Sequence, residues 1–112
     1  MSHLTTHVLD TVLGVGAAGL HVALVRIGGS ETVLGQAVLD ERGRAALGEN
    51  LAPGVYELRF EVAGYHRSLG VAVADPPFLD VVAIRFGLSE PTVNYHVPLL
   101  VSPYSYSTYR GS

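Results

Sequence analysis

The sequence predicts an all-β sandwich, and three observations lead there. Apolar and polar residues alternate with a period of two, most clearly over residues 55–62. There Tyr56, Leu58, Phe60 and Val62 fall on one side and Glu57, Arg59 and Glu61 on the other. Turn signals recur at intervals of roughly eight to fourteen residues and mark about eight short strands. Thirteen Gly and six Pro in 112 residues supply those turns. A chain of this size is expected to form one domain over residues 1–112. It can bury roughly two thirds of its unfolded surface.

The first strand is expected at residues 4–10, followed by a loop through Thr11, Val12, Leu13 and Gly14. Residues 20–27 are apolar almost throughout, as in a strand covered on both faces, by the second sheet inside and another subunit outside. Gly28, Gly29 and Ser30 turn into a strand at 31–39. Asp40, Glu41, Arg42 and Gly43 then form a tight charged loop before a short strand at 44–47. Ala52, Pro53 and Gly54 turn into the half-solvated strand at 55–62. One or two helical turns are expected near residues 65–69, limited in length by Gly64 and Gly70. Asp75, Pro76 and Pro77 stop that helix, and 80–88 is the next strand, with Val82, Ile84 and Phe86 inward. Ser89, Glu90 and Pro91 lead to a final pair, 94–102 and 104–112, joined at Ser102 and Pro103.

Composition removes several classes of function. A net charge of −3 without a basic cluster lacks the footprint of a nucleic-acid binder. No apolar run approaches the ~18 residues of a membrane span. The N-terminus shows no basic segment followed by an apolar core, so a cytoplasmic address is expected, or a periplasmic one if a leader has been removed. The absence of Cys excludes disulfides and thiolate metal sites. Paired-histidine metal spacing and a G-x-S-x-G elbow are both missing, so neither a metal site nor serine nucleophilic catalysis is expected. Gly14, Gly16 and Gly19 spell G-x-G-x-x-G, but a strand follows where dinucleotide binding needs a helix.

What remains is the histidines and the C-terminal segment. By residue type alone His3, His7, His21, His66 and His96 are core or solvent-facing imidazoles, and His66, beside Arg67, reads as solvated. Residues 94–112 carry the tyrosines and hydroxyls usual in a binding surface.

Two stretches carry a resemblance. LTTHVLD at residues 4–10 and YHVPLLVSPYSYSTYRGS at 95–112 resemble the N- and C-terminal signatures of the 5-hydroxyisourate hydrolases, the enzymatic branch of the transthyretin-like family. The resemblance implies a prealbumin-like sandwich of two four-stranded sheets with one short helix. It also implies a homotetramer, a dimer of dimers, with sites at subunit interfaces and no cofactor. It makes His7 and His96 catalytic and assigns an active-site arginine to the Glu41-Arg42-Gly43-Arg44 segment, on Arg44 with Arg42 as competitor. Tyr109, Arg110, Gly111 and Ser112 would line the cleft, with Thr108 beside them. The implied reaction opens 5-hydroxyisourate to 2-oxo-4-hydroxy-4-carboxy-5-ureidoimidazoline in urate catabolism. A histidine would activate water while arginine polarises the carbonyl. The family usually has a further histidine where this chain has Asn94, which keeps a donor and an acceptor but cannot titrate. The competing expectation is a transthyretin-type carrier of an iodothyronine-like ligand on the same fold.

Overall fold

The computed structural model describes residues 2–112. Its strands are β1 (His3–Asp10), β2 (Val15–Gly16), β3 (His21–Ile27), β4 (Thr32–Val38), β5 (Arg44–Glu49) and β6 (Gly54–Glu61). One helix, α1 (Val62–Ser68), follows, and then β7 (Val81–Leu88), β8 (Tyr95–Val101) and β9 (Tyr106–Thr108). They form two sheets packed face to face. One is four-stranded, in the order β4-β3-β6-β7. The other has five strands but is four ribbons wide: β5 lines β1 from His3 to His7, and β2 continues along the same edge at Leu9 and Asp10. On its other side β1 pairs with β8 in parallel, and β8 pairs with β9.

Strand alternation sorts β1 cleanly. Leu4, Thr6, Val8 and Asp10 are buried between the sheets, whereas His3, Thr5, His7 and Leu9 face outward and are half-buried. Leu4 and Val8 meet Leu24, Leu58, Phe60, Leu99 and Val101 in one apolar core. No helix among the described residues is long and apolar enough to cross a membrane.

Four expectations need correction. The helix starts at Val62, directly after β6, and contains Gly64. Burial of Val62, Ala63 and Tyr65 against the sandwich outweighs the local helix penalty of glycine. His66 is buried, not solvated, its ring edge-on to Tyr65. Glu57 is buried as well, because Arg59 and Arg85 fold over its carboxylate at 2.8 and 3.0 Å. Residues 104–112 are not a continuous strand: only β9 pairs regularly, and Gly111 forms a separate bridge to His96. In β3, a bulge at Leu24 and Val25 buries both neighbours, while His21 and Arg26 remain exposed.

One buried polar tie connects the helix to the first strand. Tyr65 donates its hydroxyl to Asp10 Oδ2 at 2.7 Å, and Asp10 Oδ1 accepts the Val12 and Leu13 amides. Burial first, and then Asp10, push the Tyr65 phenol above its ordinary value, so it remains a donor. Removing that donor in Tyr65→Phe leaves a buried carboxylate oxygen unpaired. The variant should lose about 1–3 kcal/mol of stability in urea unfolding, with an unchanged slope.

Candidate active site

The site begins with the two strands, β8 and β5, that flank β1. In the parallel β1–β8 register Thr5 lies opposite His96, and in the antiparallel β1–β5 register His7 lies opposite Arg44. The residues concerned share the outer face of the five-stranded sheet. Thr5 Oγ1 and His96 Nδ1 are hydrogen-bonded at 2.8 Å. His7 Nε2 is 3.0 Å from the Arg42 carbonyl oxygen. A carbonyl can only accept, so Nε2 carries a proton, and a neutral His7 has its lone pair on Nδ1.

The loop before β5 is held by Asp40. Its Oδ1 accepts the Arg42 and Arg44 amides at 2.9 and 3.0 Å, and its carbonyl accepts the Gly43 amide at 2.9 Å. These amides, Arg44's foremost, keep the Asp40 carboxyl below the usual carboxylate range. Gly43 has φ +77°, and a Cβ there would lie 2.6 Å from the Val8 carbonyl oxygen. Only glycine fits this turn where it presses against β1.

Two open recesses adjoin on this face. One, of about 350 Å³, is lined by Thr5, Arg44, Asn94, Tyr95, His96 and Ser112. The other, of about 320 Å³, is bounded by Thr5, Asp40, Arg44, Ala46 and His96 among others. Arg44 and His96 therefore border both. Arg42 borders neither and contributes its carbonyl instead. Asn94 borders the first and accepts the His3 amide through Oδ1 at 3.1 Å, which ties the start of β1 to β8.

The C-terminal residues divide. Gly111 donates its amide to the His96 carbonyl at 2.8 Å and brings Ser112 into the recess with Arg44. Thr108, Tyr109 and Arg110 instead line a different cleft of about 320 Å³ with Ile84, Phe86 and Val97. Thr108 Oγ1 donates to the Pro98 carbonyl at 2.7 Å, and the Arg110 guanidinium lies 4.5 Å from the Tyr95 ring centroid. Within one chain, then, Arg44, His96 and Ser112 line one recess and Gly111 lies against His96. His7 stands opposite Arg44 and near His96 without lining either recess, whereas Thr108, Tyr109 and Arg110 stand apart. Thr5 was missed from sequence. Its signal was its position two residues before His7, which puts both on one face of a strand.

Electrostatics favours neutral imidazole at His96. Burial is the largest cause, followed by the nearby His7 and Arg44, and together they lower its pKa from the ordinary 6.5. A neutral ring offers one donor and one acceptor beside a permanent cation. That set can move a proton and hold developing negative charge.

A two-sheet β-sandwich, its five-stranded sheet mixed through the parallel β1–β8 pair, with imidazole, guanidinium and hydroxyl groups gathered on one outer face, defines a transthyretin-like protein with a polar recess. The chain belongs to the HIUase/Transthyretin family, matched over residues 4–111. It is 51% identical to the 5-hydroxyisourate hydrolase of Caulobacter vibrioides, over the whole of both chains. Among solved structures, the 5-hydroxyisourate hydrolase of Klebsiella pneumoniae superposes with a TM-score of 0.85 at 33% identity, covering all of both chains. An (S)-allantoin synthase superposes with a TM-score of 0.91 at 39% identity; 99% of this chain is covered but only 44% of that one.

Two outcomes follow from this geometry. The imidazole of His96 should titrate below 6.5 by NMR, and Arg44→Gln should move its midpoint upward. Since the unfolded chain takes the proton first, the neutral ring's contribution to stability is complete above the unfolded value. It is lost as pH falls through the folded one. Gly111→Ala would place a Cβ 2.5 Å from His96 Cδ2. Either the ring turns away from Thr5 or the tail lifts, so the variant should stay folded by circular dichroism and lose about tenfold or more in any His96-dependent rate.

Proposed function

We propose that this chain acts as a single hydrolase domain that opens 5-hydroxyisourate. The observation that carries the proposal is full-length 51% identity to the Caulobacter hydrolase. The recess supplies residues suited to the chemistry. Water attacks the amide-like carbonyl of the six-membered ring, a C–N bond breaks, and the released nitrogen takes a proton. The product is 2-oxo-4-hydroxy-4-carboxy-5-ureidoimidazoline.

In this mechanism His7 and His96 take the proton from water and deliver one to the departing nitrogen. General acid–base catalysis of this kind contributes about a hundred- to ten-thousandfold. Arg44 lies over the developing oxyanion, where losing a comparable donor costs on the order of 3 kcal/mol of barrier. Ser112 positions the flat, polar substrate from the end of the chain. Asn94 preserves strand geometry through the His3 amide, a role that needs no titrating group.

We further propose a homotetramer with the sites at its interfaces. Val12, Leu13, Val15, Tyr104, Tyr106 and Tyr109 are all exposed large side chains in a single chain, and both polar recesses are open. Covering such a surface with a second copy would remove apolar area from water and close the recesses. It would also let Thr108, Tyr109 and Arg110 serve a site other than their own chain's. The alternative, a carrier for an apolar iodothyronine-like ligand, is disfavoured by the His96 imidazole and Arg44 guanidinium lining the recess.

The test is the decay of freshly generated 5-hydroxyisourate, followed by absorbance. Wild-type protein should clear it faster than the spontaneous reaction. His7→Asn and His96→Asn should each reduce the enzymatic rate by about a hundredfold or more, and removal of residues 109–112 should abolish it. No acceleration by wild-type protein, together with tight thyroxine binding, would favour the carrier.

A further inference from the structure

The loop before β5 does more than connect strands. Asp40 Oδ1 holds the Arg42 and Arg44 amides together, and the same turn presents the Arg42 carbonyl to His7 Nε2 at 3.0 Å. Gly43, next in line, donates to the Asp40 carbonyl, and its own carbonyl accepts the Val8 amide at 2.9 Å. The loop is thus anchored to β1 immediately after His7. Asp40 is itself exposed and borders the recess containing Arg44 and His96.

We infer that Asp40 is a positioning residue: by fixing the Arg42–Arg44 turn it holds His7 in the Nε2-protonated tautomer and starts Arg44 in register opposite that ring. The inference deepens the proposed hydrolysis and rests on it for its effect on rate. The tautomer itself is a property of the protein alone. With the Arg42 carbonyl in place, a donor on Nε2 is favoured and Nδ1 is left as the proton acceptor. Were the turn released, the free ring would populate both tautomers and part of the protein would present the wrong nitrogen. The requirement is for an acceptor oxygen at one distance from the backbone, not for a negative charge. An asparagine meets that requirement, because its amide oxygen can accept the same two amides. A glutamate keeps the charge but carries the oxygen one methylene further out.

The experiment combines long-range ¹⁵N–¹H NMR of the imidazoles with kinetics of 5-hydroxyisourate decay for wild type, Asp40→Asn, Asp40→Glu and Asp40→Ala. Wild type and Asp40→Asn should show His7 protonated at Nε2. Asp40→Glu and Asp40→Ala should show mixed tautomers and a kcat about tenfold lower, with KM changed less. The glutamate variant keeps an exposed charged side chain, so the comparison with asparagine stands even if Asp40→Ala does not fold. A wild-type His7 tautomer in both Asp40→Glu and Asp40→Ala would overturn the inference. So would loss in Asp40→Asn with retention in Asp40→Glu, which would make charge the operative property. If wild-type protein fails to accelerate the decay, the hydrolase proposal falls while the NMR comparison still decides the role of Asp40.

Discussion

The parallel pairing of β1 with β8 is the constraint on which the rest of this molecule depends. Seven consecutive residue pairs, from Leu4 with Tyr95 to Asp10 with Val101, lock the beginning of the chain to its end. Because side chains alternate along a strand, this register decides more than pairing. It sends Leu4, Val8, Val97 and Leu99 into the core, and sets Thr5 beside His96 on the outer face. A slip of one residue would invert one strand relative to the other, putting an imidazole in the apolar interior and a leucine in the recess. Core and site are therefore products of the same alignment. Destabilising either strand is expected to reach both.

A second layer of organisation brings the cation to the imidazoles. Val8 sits at the seam where β5 gives way to β2 along the edge of β1, giving its amide to Gly43 and accepting from Ala17. The backbones meet closely there: a Cβ on Gly16 would lie 2.0 Å from the Arg42 carbonyl oxygen. Such packing leaves the Arg42–Arg44 turn little room to move. The tail is placed by the same economy, since the missing side chain of Gly111 lets the backbone lie against the His96 ring. The recess is thus built largely from backbone proximity, and its polar side chains are held by strands and a tight turn, not by a mobile loop. Rigid support of this kind suits a reaction limited by the orientation of small groups.

Much of the sandwich was legible in the sequence, for reasons that the exceptions clarify. Period-two alternation read Glu57 as outward, and it does point away from the core. Its burial comes from Arg59, two residues on, together with Arg85, opposite it on β7, and that second partner, 28 residues away, is one that no local pattern reveals. The buried helix face was in fact written in the chain: Val62, Tyr65 and His66 have i, i+3, i+4 spacing. Gly64 and the neighbouring Arg67 obscured it. For the site, the two signatures drew attention to His7, His96 and the tail because each is a continuous stretch of sequence. The part played by Asp40 depends on where an unremarkable loop touches another strand. The split between Ser112 and Tyr109 depends on which way the chain turns after β9. Neither is a local property, so neither could be read from residue order.

If β1 and β8 build one catalytic unit, the imidazoles they carry should not act independently. A double-mutant cycle in 5-hydroxyisourate decay, comparing His7→Asn, His96→Asn and the combined variant, measures this directly. Groups sharing one proton-transfer path lose most of their effect with the first substitution, so the double variant should be little slower than the slower single one. Losses that multiply would mean that the two histidines, though neighbours on one sheet face, contribute separately, and the single shared site described here would be contradicted.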